Sequence, residues 1–400
     1  AGVEHDFEKD GLDLIIRDGR LTANGTTLGG DNGVAVALML MVLDDDEIEH
    51  PPVECVFTTE EEVGLNGAKA LDKSVLKART MINMDSEDEG VATVSCAGGL
   101  RVQFTKEIQR TTVQGSLLTL KVEGLLGGHS GQDIDKERQN ADLLMARMIQ
   151  RLLKETKGQL VSFNGGTKDN AIPRECEASL IYESDEEAAK AEELACELAE
   201  TYAEELTPAE PDFSCEISCE TNRTAEAIPQ DAAKEFICAM RLAPNGIQKR
   251  NIKMDGFVVV SLNLGVVRTE EDRIVMIFSP RSSVASLQED TKERLNTLAE
   301  TFGFTVSHSS EYPGWSFKED SPVREICKES YKELFGEDLK IEAIHAGLEC
   351  GLFSDAIKGL DAIAIGPTIA NCHTPDEYLT LDSFERFYEF LKDILSRLAK

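Results

Sequence analysis

A run with no polar face sets the first constraint on this chain. Residues 34–43, "VAVALMLMVL", carry no charged or hydrogen-bonding side chain. A helix that is apolar all round belongs in a core. The run is far shorter than the roughly 20 residues needed to cross a bilayer, and it closes on "DDDEIEH". It therefore reads as a buried core helix. Its mouth is "TTLGGDNG", which sets Asp31 where the helix begins. Asp is a favoured N-cap, because its carboxylate accepts an otherwise unpartnered backbone N–H. The alternative is a ligand role, and acidic or histidine residues at other strand ends would decide for it.

A chain of 400 residues is too long for one ordinary core, so two domains are expected. The net charge of −33 opposes binding to nucleic acid or to an anionic membrane, since both would be repelled. Read alone, the acidity only keeps the protein in solution. Ten cysteines are scattered without a C-x-x-C. That pattern suggests free thiols in a reducing cytoplasm. Cys215 and Cys219, in "SCEISCE", have the spacing of one face of a strand. No signal peptide is visible. The chain starts "AGVEHDFEKD" without a Met, and we expect it to be trimmed.

Apolar β-rich segments alternate with helical ones at both ends of the chain. "LDLIIRDGRLTANGTTLGG" reads as short strands and turns, residues 53–58 as a strand that runs into Glu60, Glu61 and Glu62, and "ARTMINMD" as a strand that ends in Asp85. This alternation predicts βαβ units and a parallel sheet. Near Cys96 the character changes to an α+β pattern with antiparallel strands, which includes helices over "RQNADLLMARMIQRLLKE", residues 185–205 and "ASLQEDTKERLNTLAETFG". The first pattern resumes with a helix over "SPVREICKESYKELFG", a loop "IHAGLECGLF", a strand "DAIAIGP" and a last helix. The expected architecture is an α/β domain, residues 1–95 and 317–400, interrupted by an α+β insert, residues 96–316.

In open α/β sheets ligands gather beyond the carboxyl ends of strands. Asp31, the glutamate run, Asp85 and His373 all fall at such places. Each has a bland reading, as a cap, a solvated loop, a turn former or a surface histidine; together they can converge. Carboxylates with a histidine suit zinc. Two metals can share a bridging carboxylate, and a spare carboxylate can serve as general base.

"GTTLGGDNG", "FTTEEEVGLNGA", "INMDSEDEG", "GGHSGQDI", "GGTKDNAIPRE", "HAGLECG" and "CHTPDE" together resemble the bacterial aminoacyl-histidine dipeptidases, carnosinase-like members of the di-zinc exopeptidase and deacylase family. The likeness runs in order over nearly the whole chain. It implies that Asp31 bridges two zinc ions, that Glu62 and His373 bind one of them, that Asp85 binds the other, and that Glu61 is the general base. It also implies that the insert is a lid and dimerisation domain, in which His129 holds the scissile carbonyl or its oxyanion. Asn170 and Arg281 become candidates for the substrate carboxylate. Gly347 offers a close-approach backbone, and Glu349 a partner for the substrate amine. The implied protein is a cytoplasmic homodimer that hydrolyses small dipeptides, Xaa-His foremost. Related sites accept other divalent ions.

The family's His-x-Asp motif, which lies upstream of the bridging Asp, is absent from this sequence. The zinc held by Glu62 then has three protein ligands, and the other only Asp31 and Asp85. His5 lacks the x-Asp partner, His50 lies at the wrong end of a strand, His129 and His308 belong to the insert, and His345 is not a family ligand. The expectation is that a segment with the first strands has been lost and that this chain is impaired. The competing readings are an N-acyl amino-acid deacylase or tripeptidase on the same fold, and a binding protein without catalysis. Glu349 favours an amine-bearing substrate over an acyl one.

Overall fold

The helix behind Asp31 forms, but it is buried on one face only. In the computed structural model, which describes residues 5–252 and 256–400, it spans Gly30–Asp44, with Val34, Ala35, Leu38 and Val42 buried. Val36, Leu40 and Leu43 on the other side are 42%, 54% and 55% exposed. The expected all-round burial is therefore corrected. The i, i+4 and i, i+8 positions from Val34 meet the core, and among the described residues nothing covers the opposite face.

The chain divides into two units, Ala1–Cys96 with Gly314–Lys400, and Ala97–Pro313. The first holds a four-stranded sheet in the order Lys340–Ile344, Val91–Cys96, Asp361–Ala364, Thr80–Asn83. Its two outer pairs are parallel, and the middle pair meets antiparallel at Ala364 and Thr93. The sheet is thus mixed, not parallel throughout. Residues 53–58, read as a strand, form no ladder. They and the edge strand Thr80–Asn83 line a cavity of 460 Å³, so this β-branched segment faces open space where a strand needs a partner. A second sheet in the same unit joins the hairpin Leu14–Arg17 and Arg20–Ala23 to Tyr378–Thr380 and Ile369–Ala370. It ties the residues before Asp31 to those after His373. Trp315, Phe353, Cys96, Cys350 and Ala362 pack in its core.

The second unit is built on nine antiparallel strands, from Ser214–Ala227 at one edge to Thr305–Tyr312 at the other. Helices Ala141–Glu155, Asp185–Leu206, Gln230–Leu242 and Ala285–Thr301 pack on it. Helix Gln230–Leu242 is not among those expected from the sequence. Phe104, Phe163, Phe236, Phe278, Tyr182 and Tyr202 fill its core. Cys215 and Cys219 share the half-buried face of their strand, and all ten cysteines are free thiols. Among the described residues no helix is long and apolar enough to cross a membrane.

Candidate metal centre and substrate-binding residues

Asp31 does not cap its helix. Asp31 and Asn32 leave the helical region of φ and ψ, and Asn32 does the capping. Its Oδ1 accepts the Ala35 N–H at 3.1 Å, and its Nδ2 donates to Asp85 Oδ1 at 2.9 Å and to the Met84 carbonyl at 3.1 Å. Asn32 thus satisfies an orphan donor of the first turn and pins the Asp85 segment, leaving the Asp31 carboxylate to face the site. Strand Thr80–Asn83 ends two residues before Asp85, whose N–H is held by Asn83 Oδ1 at 2.9 Å.

The glutamates lie on a turn. Glu60 adopts φ of 57°, and the Glu61 carbonyl accepts the N–H groups of Gly64 and Leu65 at 2.9 and 2.8 Å. His373 also adopts a left-handed backbone, φ 62°, in the loop before Tyr378–Thr380. Its Nε2 lies 3.1 Å from Asp31 Oδ2 and 2.9 Å from Glu62 Oε1. Asp31, Glu62 and His373 therefore place ligand atoms within 4.8 Å of one another from three separate segments.

The surroundings of this triad are acidic. Burial, then the Asp31 and Glu61 carboxylates, push Asp85 up to about 7. Burial, then Glu62, Glu349 and Asp31, raise Glu61. The hydrogen bond to Glu62 raises His373. Among the described residues, no Lys or Arg pairs with Asp31, Glu61, Glu62 or Asp85. Crowded carboxylates favour protonation unless a cation neutralises them. Hard oxygen donors with one imidazole are a donor set that suits zinc, so these residues fit a divalent metal.

Glu349 opens the helix Glu349–Ala356, in a segment read as a loop. Its Oε1 accepts from Thr58 Oγ1 at 2.7 Å, and it lines the 460 Å³ cavity with Asp31, Glu61, Glu62 and Asp85. Gly347 lies just before that helix. The remaining histidines are engaged elsewhere or buried. His5 packs edge-on against Phe7, His50 Nδ1 meets the Pro51 carbonyl, His308 Nε2 meets Asn296 Oδ1, and His345 is 6% exposed.

Two residues that the sequence reading left out join this group. Glu87 and Cys372 place ligand atoms within 4.8 Å of each other and of Asp31. Burial, then Glu87 and Asp31, push the Cys372 thiol up to about 12. A signal for both was present in their neighbours: Glu87 stands at i+2 from Asp85, and Cys372 adjoins His373.

In the second unit, Gly128–His129 pairs with Ala171–Ile172, and the Asn170 carbonyl accepts the Ser130 N–H at 2.8 Å. The structure thus brings the His129 and Asn170 segments together. His129 Nδ1 accepts the N–H groups of Gly131 and Gln132 at 3.2 and 3.0 Å, while the His129 backbone N–H donates to Asp133 Oδ2 at 2.8 Å. A ring nitrogen that accepts carries no proton, so the neutral imidazole is protonated at Nε2. Burial, then the nearby Arg281, lower the His129 pKa and so favour its neutral form. Arg281 is 7% exposed. Its Nη1 donates to Tyr312 OH at 3.0 Å, and its buried Nε has no partner. A buried donor without a partner is costly, and a guanidinium fork matches a carboxylate.

The sequence model of peptidase family M20/M25/M40 matches residues 4–397. The chain is 34% identical to the cytosol non-specific dipeptidase of Escherichia coli K12, over 98% of this chain and 81% of that protein. It is 35% identical to the aminoacylhistidine dipeptidase of Vibrio alginolyticus, whose crystal structure it matches with a TM-score of 0.94 over 99% of this chain and 81% of that one. An aminopeptidase from Bacillus cereus shares the fold at 16% identity, with a TM-score of 0.51 over 98% and 78% of the two chains.

Proposed function

The chain belongs to peptidase family M20/M25/M40 and is an enzyme of it, and we propose that it hydrolyses dipeptides, preferentially Xaa-His, with two zinc ions held around Asp31. Asp31, Glu62 and His373 would hold one ion, and Asp31 with Asp85 would hold the other. The carrying observation is the convergence of that triad within 4.8 Å, with Glu61 beside Glu62 but outside the triad. Bound there, a divalent metal supplies Lewis acidity that makes water nucleophilic and polarises the scissile carbonyl.

The chain's own residues do the rest. Glu61 takes the proton of the attacking water and delivers it to the leaving amine. His129, with its proton on Nε2, donates to the carbonyl oxygen as negative charge develops. Arg281, with Asn170 as its companion, receives the C-terminal carboxylate. Glu349, in an acidic cavity, takes the substrate ammonium beside the Gly347 backbone. An acyl substrate has no cation to offer that cavity, which disfavours the deacylase reading. The same reading makes the Ala97–Pro313 unit a lid and dimerisation domain of a cytoplasmic homodimer, which the mass of the particle in solution tests.

The test is hydrolysis of β-alanyl-histidine and of N-acetyl-histidine, with metal content measured in parallel. Cleavage of the dipeptide alone, abolished by a chelator, is expected. Preference for N-acetyl-histidine overturns the substrate assignment, and metal uptake without cleavage of either overturns the catalytic one.

A further inference from the structure

Glu377 closes the "CHTPDE" motif, four residues after His373, and has no role in the chemistry above. Its carboxylate is 2% exposed, yet among the described residues no basic side chain pairs with it. Four consecutive backbone N–H groups converge on it instead. Oε2 accepts from Leu28 at 2.8 Å and from Gly29 at 3.0 Å, and Oε1 accepts from Gly30 at 2.7 Å and from Asp31 at 3.2 Å. These donors lie just before the turn that Asn32 caps, and successive backbone N–H groups aimed at one point form an anion-binding nest. Charge-assisted bonds to backbone N–H groups are among the stronger hydrogen bonds.

The sequence before Asp31 is shaped for this contact. Gly29 sits at φ 68°, a left-handed conformation that glycine adopts without strain. A Cβ on Gly30 would come within 3.1 Å of Glu377 Oε1 and 3.4 Å of Ile369 Cγ2. The paired glycines of "LGGDNG" therefore let the backbone wrap a buried carboxylate. The other end of the clamp is equally fixed. The Glu377 N–H donates to the Thr374 carbonyl at 3.2 Å, one residue from His373.

We propose that Glu377 is a positioning residue for the metal centre: it clamps the backbone of Asp31 to the loop that carries His373 and so sets the spacing of two ligands. It touches neither substrate nor the ligand atoms. It acts through the backbone on both sides of the 3.1 Å contact between His373 and Asp31. The proposal rests on the reading of Asp31, Glu62 and His373 as a metal site.

Glu377→Gln preserves volume but turns an amide NH₂ toward backbone donors, which leaves two N–H groups without an acceptor. Glu377→Asp keeps the charge and both acceptor oxygens on a shorter stem. The experiment titrates the whole chain of wild type and both variants with Zn²⁺ and with Co²⁺. It follows affinity by calorimetry, the visible Co²⁺ spectrum, and the Tm of the metal-free proteins. Residues that orient metal ligands typically contribute about 10–100-fold to affinity. We expect Glu377→Gln to weaken Zn²⁺ binding by that factor and to shift the Co²⁺ bands, with Glu377→Asp intermediate. An unchanged affinity and spectrum in either folded variant overturns the proposal, whatever happens to the metal-free Tm. Should Glu377→Gln fail to fold, Glu377→Asp alone decides. A wild-type chain that takes up no metal removes the metal-site reading and this proposal together, whereas wild-type binding with unchanged variants removes the proposal alone.

Discussion

Around Asp31, carboxylates gather with His373 as their only basic partner among the described residues, whereas the buried guanidinium of Arg281 sits near His129 and has an Nε without a partner. The first cluster is short of positive charge and the second of negative charge. Burial has opposite consequences in the two. It pushes Asp85 up to about 7 and lowers the His129 pKa, so each cluster discourages the charge it already holds. The comparison teaches that each cluster has room for a charge it does not itself supply, positive beside the carboxylates and negative beside Arg281, which is where the proposed function puts a metal with the substrate ammonium and the substrate carboxylate.

The largest effect should come from Asp31, the residue proposed to serve both metal positions. Asp31→Asn keeps the volume but removes the bridging charge. Hydrolysis should fall by about 1,000-fold or more, since metal activation contributes several kcal/mol to the barrier. Metal analysis of the purified variant should show the loss of bound ion, and full metal content would break the assignment of charge shortage to this cluster. In the other unit, His129→Ala should lower kcat by roughly 100–1,000-fold, the range for loss of an oxyanion donor, with metal content unchanged. Turnover at the wild-type rate would remove His129 from the reaction. Arg281→Lys keeps the charge and loses the fork. It should raise KM about ten-fold, equivalent to about 1.4 kcal/mol of binding, while kcat changes less; a fall in kcat alone would place Arg281 elsewhere.

A smaller effect separates functional crowding from simple burial. Asp142, in the second unit, is fully buried, and the Cys176 thiol and the Arg268 guanidinium offset only part of the cost of its charge. Burial pushes it up to about 8, well above its unfolded value of about 3.9. Between those values the folded state holds one more proton than the unfolded state. Stability is then intact below pH 4 and declines as pH rises toward 8, by up to about 1.4 kcal/mol for each pH unit. Asp142→Asn should match wild type near pH 4 and melt a few degrees higher at pH 8. Thermal melts across that range check it, and parallel curves would contradict it. Zn²⁺ should leave this difference between the two proteins unchanged, because Asp142 is not part of the metal cluster.

The convergence of Asp31, Glu62 and His373 is legible in the sequence because each stands in a loop motif, beside glycines, glutamates or a Pro. What depends on partners was not. The cap expected at Asp31 belongs to Asn32, since Asp85 and Met84 draw the Asn32 amide inward. Residues 53–58 carry strand propensity without a strand beside them, and β preference is realised only through pairing. The apolar run from Val34 predicts an all-round core helix, but composition carries no information on how many neighbours pack against it, and Val36, Leu40 and Leu43 are exposed. Glu377 escaped notice because its partners are backbone N–H groups, which no side-chain spacing reveals. The break near Cys96 was legible as a shift from alternating helices and strands to successive strands, while Gln230–Leu242 was passed over.

The smallest expected effect, no change at all, is also the most direct test of how the two adjacent glutamates divide their work. Zn²⁺ affinity and β-alanyl-histidine hydrolysis are measured together in Glu61→Gln and Glu62→Gln. Glu61→Gln should bind Zn²⁺ with wild-type affinity while hydrolysis collapses, and Glu62→Gln should lose the ion and the rate together. Loss of Zn²⁺ in Glu61→Gln with retention in Glu62→Gln would contradict the assignment of ligand and base.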